Sequence, residues 1–217
     1  MKVSPYGGLH VLADDDGRWK IDPVEQARAA LAGGARVVQL RAKHTGDLET
    51  LAWAETIREM TRHVGARFVV NDRYDLALTV GADAVHLGQD DLRPADIPSA
   101  QRKQLAIGRS THDPEQARAA CGEGVAYLAY GPVFGTQSKD TPYSARGLTG
   151  LRDIVAIAGE LPVVAIGGID ASNLGELLET GASGAAVISA VAAAEKPVDA
   201  TRALVDHPGW SHARGPA

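Results

Sequence analysis

The chain has 217 residues, 45% of them apolar and 23% charged, with a formal net charge of −5 and no long basic run. That length suits one domain, since α/β barrels run past roughly 200 residues as a single unit, and that charge argues against nucleic acid as a partner. A single cysteine, Cys121, excludes an intrachain disulfide and a cysteine-built metal site.

Residues 9–13 (LHVLA) form a first strand, and Asp14-Asp15-Asp16-Gly17 a turn. Asp22-Pro23 opens a helix that stops at Gly33-Gly34: a capping carboxylate, then proline where its missing N–H costs nothing. Residues 36–40 (RVVQL) are a second strand running into Arg41 and Lys43, and residues 47–64 a long amphipathic helix. In residues 68–91 a short apolar run ends in Asn71-Asp72. A helix over 74–80 stops at Gly81, and residues 84–87 form another run ending in Gly88-Gln89-Asp90-Asp91. A short helical piece spans 94–100, a fifth strand 104–108, and a helix begins at Asp113-Pro114 and runs to Gly122. Residues 125–130 are a sixth strand, followed by the turn-rich loop GPVFGTQSKDTPYSARG. A helix over 148–158, a strand over 161–166 meeting Gly167-Gly168, a helix over 170–180, a strand over 183–188 and a helix near 198–205 complete the pattern.

Eight strands alternate with eight helices, and runs such as VVQL, FVV and PVVAI suit a parallel sheet covered on both faces. The expectation is an α/β fold, a single-domain (β/α)8 TIM barrel over residues 1–206 with a loosely ordered tail over 207–217. The first residues lack the apolar core of a signal peptide and no apolar run approaches bilayer length. A cytoplasmic protein with no membrane partner follows as an expectation.

The unusual polar residues gather at strand ends: Gln39, Arg41, Lys43; Asn71, Asp72; Asp91; Ser110; Thr136, Ser138, Lys139; Gly167, Gly168; Ser189. Each alone has a bland reading as a cap, a turn or a surface charge. In a barrel, however, those ends converge on one face. Two parallel strands joined by a helix are neighbours, so Asp72 and one of Asp90 or Asp91 come within reach of one metal ion. Oxygen ligands favour Mg²⁺, and the adjoining cations Arg41, Lys43 and Lys139 suit a diphosphate. Gly167-Gly168 and Ile188-Ser189 match the barrel phosphate site. His10 and His86 sit within strands and read as buried, hydrogen-bonded residues. His112, at a helix entry, reads as structural. No nucleophile and base pair stands out, which suits a reaction driven by ionising a leaving group.

These segments resemble the thiamine-phosphate synthase family: Gln39-Leu40-Arg41-Ala42-Lys43, Asn71-Asp72-Arg73, His86-Leu87-Gly88-Gln89-Asp90-Asp91, Gly108-Arg109-Ser110, residues 131–139 (GPVFGTQSK), Ile166-Gly167-Gly168-Ile169 and Val187-Ile188-Ser189. The resemblance covers about residues 9–205, in order. It implies a transferase that joins 4-amino-2-methyl-5-(diphosphooxymethyl)pyrimidine to a thiazole phosphate, releasing pyrophosphate and forming thiamine phosphate. By position, Gln39, Leu40, Arg41, Ala42, Lys43, Asn71, Ser110 and Lys139 would surround the pyrimidine diphosphate, with catalytic contributions from Arg41, Ser110 and Lys139. Asp72 and Asp91 would bind Mg²⁺. Thr136, Gln137 and Ser138 would line the thiazole phosphate, with Gly168, Ile188 and Ser189 on its phosphate group. The partners implied are small molecules, and a homo-oligomer is left open.

Ala42, Gly135 and Ser138 stand where the family commonly has glutamate, proline and threonine. Arg109 replaces a small apolar residue, and Tyr127-Leu128-Ala129-Tyr130 is heavier than usual, so Arg109 and Tyr130 are expected to bear on substrate preference. The competing readings are a thiazole tautomerase on the same barrel, which would not need the diphosphate apparatus, and a non-catalytic phosphate-ligand binder.

Overall fold

The computed structural model describes residues 4–135 and 143–210. Its strands are β1 (Gly8–Asp14), β2 (Val37–Arg41), β3 (Arg67–Asn71), β4 (Ala84–Leu87), β5 (Ala106–Thr111), β6 (Tyr127–Tyr130), β7 (Val163–Ile166) and β8 (Gly184–Val187). They pair in parallel in sequence order, and β8 returns to β1, closing the barrel. The helices among the described residues are α1 (Pro23–Ala32), α2 (Asp47–Val64), α3 (Tyr74–Thr79), α4 (Ser99–Arg102), α5 (Pro114–Cys121), α6 (Gly147–Ala158), α7 (Leu174–Leu178), α8 (Ser189–Ala192) and α9 (Pro197–Val205).

Local signals explain the helix starts. Asp22 accepts from the Glu25 N–H at 2.9 Å and Asp113 from the Gln116 N–H at 2.9 Å, each followed by proline at the first helical position. Gly65 ends α2 in a left-handed conformation. The expected helix over 170–180 shrinks to α7, because Asp170 and Asn173 bond locally: Asp170 accepts from the Ser172 N–H at 2.8 Å, and the Asn173 amide donates to the Gly168 carbonyl at 2.8 Å. The single-turn α8 was not expected, since four residues carry no readable period. Residues 207–210, assigned above to the tail, pack on the barrel, with the Trp210 indole N–H donating to the Leu204 carbonyl at 2.8 Å. Residues 211–217 lie outside the described residues.

Alternation along each strand divides the buried residues into two layers. Val38, Leu40, Phe68, Val70, Val85, Ile107, Leu128 and Tyr130 face the helices in the large outer core. Leu12, Val37, Val69, Ala84, Tyr127, Val164 and Ala186 fill the lumen. Tyr127 is its centrepiece: its ring centroid lies 5.2 Å from Tyr6, 5.5 Å from His10 and 5.6 Å from His86. Gly108 makes room for it, since a Cβ there would fall 2.1 Å from the Tyr127 ring. This aromatic plug forms the floor beneath the C-terminal ends of the strands. His10 is buried and its ring N–H donates to the Tyr6 carbonyl at 2.9 Å; burial holds its pKa down to about 4, so it is neutral.

Candidate active site

The first strand end anchors the site's cations. Asp14, read above as part of a turn, is the last residue of β1 and is 1% exposed. Its carboxylate accepts from the Trp19 indole at 2.7 Å and from the Arg41 guanidinium at 2.5 Å. A buried carboxylate thus fixes Arg41 at the mouth of β2. Asp15 caps the next loop, accepting from the backbone N–H groups of Lys43 at 2.8 Å, His44 at 2.8 Å and Thr45 at 2.9 Å. Burial alone would raise the Asp15 pKa, but those donors carry it below the usual carboxylate range. The loop bearing Lys43 is therefore pinned by an anion in the neighbouring strand's loop. Sequence reasoning missed both roles; three successive aspartates after a strand were the available signal.

Asp72 is the only non-glycine residue at positive φ among the described residues, at 63°. Left-handed backbone is strained for a side chain with a Cβ, and Asp tolerates it better than most. The Asp72 N–H donates to the His86 carbonyl at 2.7 Å, tying the end of β3 to β4, while its carboxylate pairs with the Lys43 ammonium. From β4 the chain turns at Gly88, whose N–H donates to the Asp91 carboxylate at 2.6 Å. Burial first, then a hydrogen bond and like charge from Asp72, push the Asp91 carboxyl above the usual range; the Gly88 N–H and Lys43 act in the opposite sense. Asp90, the alternative, is exposed, whereas Asp91 is half-buried and faces Asp72. Two apposed carboxylates with a lysine beside them fit a hard divalent cation with few protein ligands. No group of three or more His, Cys, Asp or Glu suited to a metal occurs among the described residues, so further oxygens would come from substrate or water.

On the adjacent strand, Ser110 lies inside β5, one residue from its end. Its hydroxyl is 2.9 Å from His86 Nε2, and His86 Nδ1 is 3.1 Å from the Tyr127 hydroxyl. A chain of polar contacts thus runs from the lumen plug to Ser110. Gln39 is 4% exposed, and its Oε1 finds no donor among the described residues. A buried acceptor without a partner is costly unless a ligand supplies the donor.

On the far side, Gly167 and Gly168 adopt φ of 102° and 66°. A Cβ at Gly167 would fall 2.6 Å from Pro132 and one at Gly168 2.8 Å from the Gly135 carbonyl. The pair therefore does more than open backbone to an anion: it lets this loop nest on residues 132–135, joined by Val133 N–H to the Ile166 carbonyl at 2.9 Å and Phe134 N–H to the Gly167 carbonyl at 3.1 Å. Gly168 and Ser189 are exposed, with Ser189 opening α8 after Ile188. The first amides of a helix have no acceptor within it and can face an anion.

The structure thus brings Gln39, Arg41, Lys43, Asn71, Asp72, Asp91 and Ser110 to one rim with Gly168, Ile188 and Ser189. The Leu40 side chain packs in the outer core, so only its backbone can face a ligand; Ala42 is half-buried in the loop after β2. Thr136, Gln137, Ser138 and Lys139 lie outside the described residues. Arg109 and Tyr130 point away from the site. Arg109 reaches the Gly88 carbonyl at 2.5 Å, and the Tyr130 hydroxyl lies against Gly150 of α6, where a Cβ would come within 2.3 Å. His112 is structural, with a ring nitrogen 2.6 Å from the Gly131 carbonyl and its ring stacked on Tyr143 at 3.9 Å.

Comparison with known proteins places the chain in a family. Residues 9–191 match the family described as thiamine monophosphate synthase. The chain is 44% identical over 201 residues to a thiamine-phosphate synthase of Chlorobium phaeovibrioides, covering 91% of this chain and 92% of that one. A Thermus thermophilus thiamine-phosphate synthase is likewise 44% identical, covering 91% and 95% of the two chains. The solved thiamine phosphate pyrophosphorylase of Pyrococcus furiosus superposes with a TM-score of 0.83 at 39% identity, over 96% of this chain and 97% of that one. No helix among the described residues is long and apolar enough to cross a membrane. Matched by the family over residues 9–191 and by these relatives over about nine-tenths of its length, this chain belongs to the thiamine-phosphate synthase family of transferases.

Proposed function

We propose that the chain couples 4-amino-2-methyl-5-(diphosphooxymethyl)pyrimidine to a thiazole phosphate with the help of Mg²⁺ held by Asp72 and Asp91. The observation that carries this reading is the apposed carboxylate pair beside Lys43, at the same rim as the Asp14-anchored Arg41. A tautomerase acting on a thiazole phosphate alone would have no use for that half of the rim.

Arg41 and Lys43 hold the outer oxygens of the diphosphate, with Asn71 beside them and Lys139 contributing from the loop after β6. The Gln39 oxygen, without a donor among the described residues, accepts from the pyrimidine amino group, and Ser110 orients the ring. The bond between the pyrimidine methylene carbon and the diphosphate oxygen breaks, and its electron pair leaves with the diphosphate. The ring's amino group delocalises the resulting positive charge. The thiazole nitrogen then donates its lone pair to the same carbon, forming the C–N bond of thiamine phosphate. Thr136, Gln137 and Ser138 line the thiazole partner, while Gly168, Ile188 and Ser189 hold its phosphate. Magnesium, when bound, supplies neutralising charge to the departing group. The protein's share is position and fixed electrostatics.

The test is incubation with both substrates, with and without Mg²⁺, assayed for pyrophosphate. Expected are metal-dependent release by the parent and its loss in Asp91→Ala. Parent-like turnover by Asp91→Ala, or release indifferent to chelator, would refute the assignment.

A further inference from the structure

The metal-facing carboxylate is held by a loop, and that loop is held from outside the barrel. Arg109, on β5, is only 5% exposed although it faces the helices. Its guanidinium donates to the Gly88 carbonyl at 2.5 Å, and its Nε lies 3.6 Å from a Glu123 carboxylate oxygen just beyond α5. The N–H of the same Gly88 donates to the Asp91 carboxylate at 2.6 Å. Both polar groups of one residue are therefore engaged, one by the clamp and one by the carboxylate. Gln89 adds a third tie, donating to the Ser110 carbonyl at 2.5 Å.

We propose that Arg109, oriented by Glu123, is a positioning residue that sets the metal-binding geometry of Asp91 through Gly88. The inference rests on the reading that Asp72 and Asp91 hold the cation. Its physical basis is the repulsion that pair must survive. Two carboxylates brought together push the Asp91 loop outward, and a charge-assisted bond to the loop's backbone resists that push. Partners outside a metal's own ligands tune its affinity in this way. A cavity of about 330 Å³ opens beside the clamp, lined in part by Gln89, Arg109, Gln116 and Glu123. If the guanidinium is removed, water from that cavity can join the Asp91 N–H, 3.4 Å away, in satisfying the Gly88 carbonyl, so the fold survives while the loop loses its charged tie and keeps only that of Gln89.

The test is calorimetric titration of Mg²⁺ into the protein saturated with inorganic pyrophosphate, for the parent, Arg109→Met, Arg109→Lys and Glu123→Gln. Arg109→Met weakens the metal by about tenfold or more, the scale of other outer partners of metal ligands. Arg109→Lys recovers part of the loss, and Glu123→Gln falls between Met and parent. In turnover assays the defect lies mainly in the Mg²⁺ requirement rather than in the rate at saturating metal. Parent-like Mg²⁺ affinity in Arg109→Met, with only a lowered melting temperature, overturns the proposal. Should that variant not fold, parent-like affinity in Glu123→Gln overturns it instead. If the parent binds pyrophosphate but shows no Mg²⁺ dependence, the metal reading fails, and the proposal with it.

Discussion

Replacing Asp14 by asparagine tests whether a buried anion, rather than the substrate, sets Arg41 in place. The asparagine oxygen can still accept from Trp19, but its amide faces the guanidinium that the parent carboxylate meets at 2.5 Å. The carboxylate is fully buried and the Arg41 side chain 14% exposed. Breaking one side of a buried pair costs roughly 3–5 kcal/mol. Because Arg41 keeps some access to water, the lower end applies, near ~3 kcal/mol. For a domain of this size that is a fall of about 6–12 °C in melting temperature. Arg41 would swing from its place, and a displacement near ~1 Å at a positioning residue lowers turnover about 100-fold. Thermal melts and pyrophosphate release measure the two effects. Adding Arg41→Met to Asp14→Asn should restore much of the stability but none of the activity, since an apolar replacement removes the uncompensated charge. A melting temperature within ~2 °C of the parent for Asp14→Asn alone would show that other groups hold Arg41, and would refute the reasoning.

Other predictions concern backbone, packing and protonation. Asp72→Gly removes the side chain from left-handed backbone, a relief of about 1–2 kcal/mol, against a partly exposed ion pair worth ~0–1 kcal/mol; the melting temperature should hold or rise while activity is lost. Gly108→Ala drives a methyl into the Tyr127 ring, which is 1% exposed and boxed in by three other rings, and should cost about 3 kcal/mol in denaturant titration. The depressed His10 pKa acts in acid: the unfolded chain takes up a proton near the ordinary value of 6.5 and the folded chain only near about 4. Stability present above that window is lost as pH falls through it, by on the order of 3 kcal/mol. His10→Gln should flatten that loss between pH ~6.5 and ~4 in denaturant titrations, and an unchanged slope would exclude His10 as its source.

The barrel was legible because its strands are short apolar runs punctuated by caps and glycines, so order and closure followed from pattern alone. What escaped were places where a charge belongs to a strand. Asp14 read as a turn and Arg109 as a strand's end, yet Asp14 is the last residue of β1 and Arg109 lies inside β5, each beside a group that neutralises it, the Arg41 guanidinium for Asp14 and the Glu123 carboxylate for Arg109. Local propensity does not foresee such long-range pairing. The rim residues Asp72, Asp91 and Ser110 were found because strand ends converge whatever the loops do. The contacts that hold these residues and the Lys43 loop, from His86, Arg109 and Asp15, depend on neighbours that only the closed sheet brings together. Whether Asp90 or Asp91 faced inward was undecidable from residue type, and the hydrogen bond from Gly88 N–H accounts for the choice.

The nesting of the Gly167-Gly168 turn on residues 132–135 has a consequence for how this barrel can change. Among the described residues, the carboxylates and cations of the rim come from β1 to β5, whereas the interlocked turns and the opening of α8 come from β6 to β8. Under the proposed function, and apart from Lys139, the two reactants would thus be received by separate, contiguous stretches of polypeptide. A hybrid exchanging the last three strands as a block would carry both interlocked turns with it and could inherit a different acceptor, whereas transplanting either turn alone would set mismatched backbones against each other.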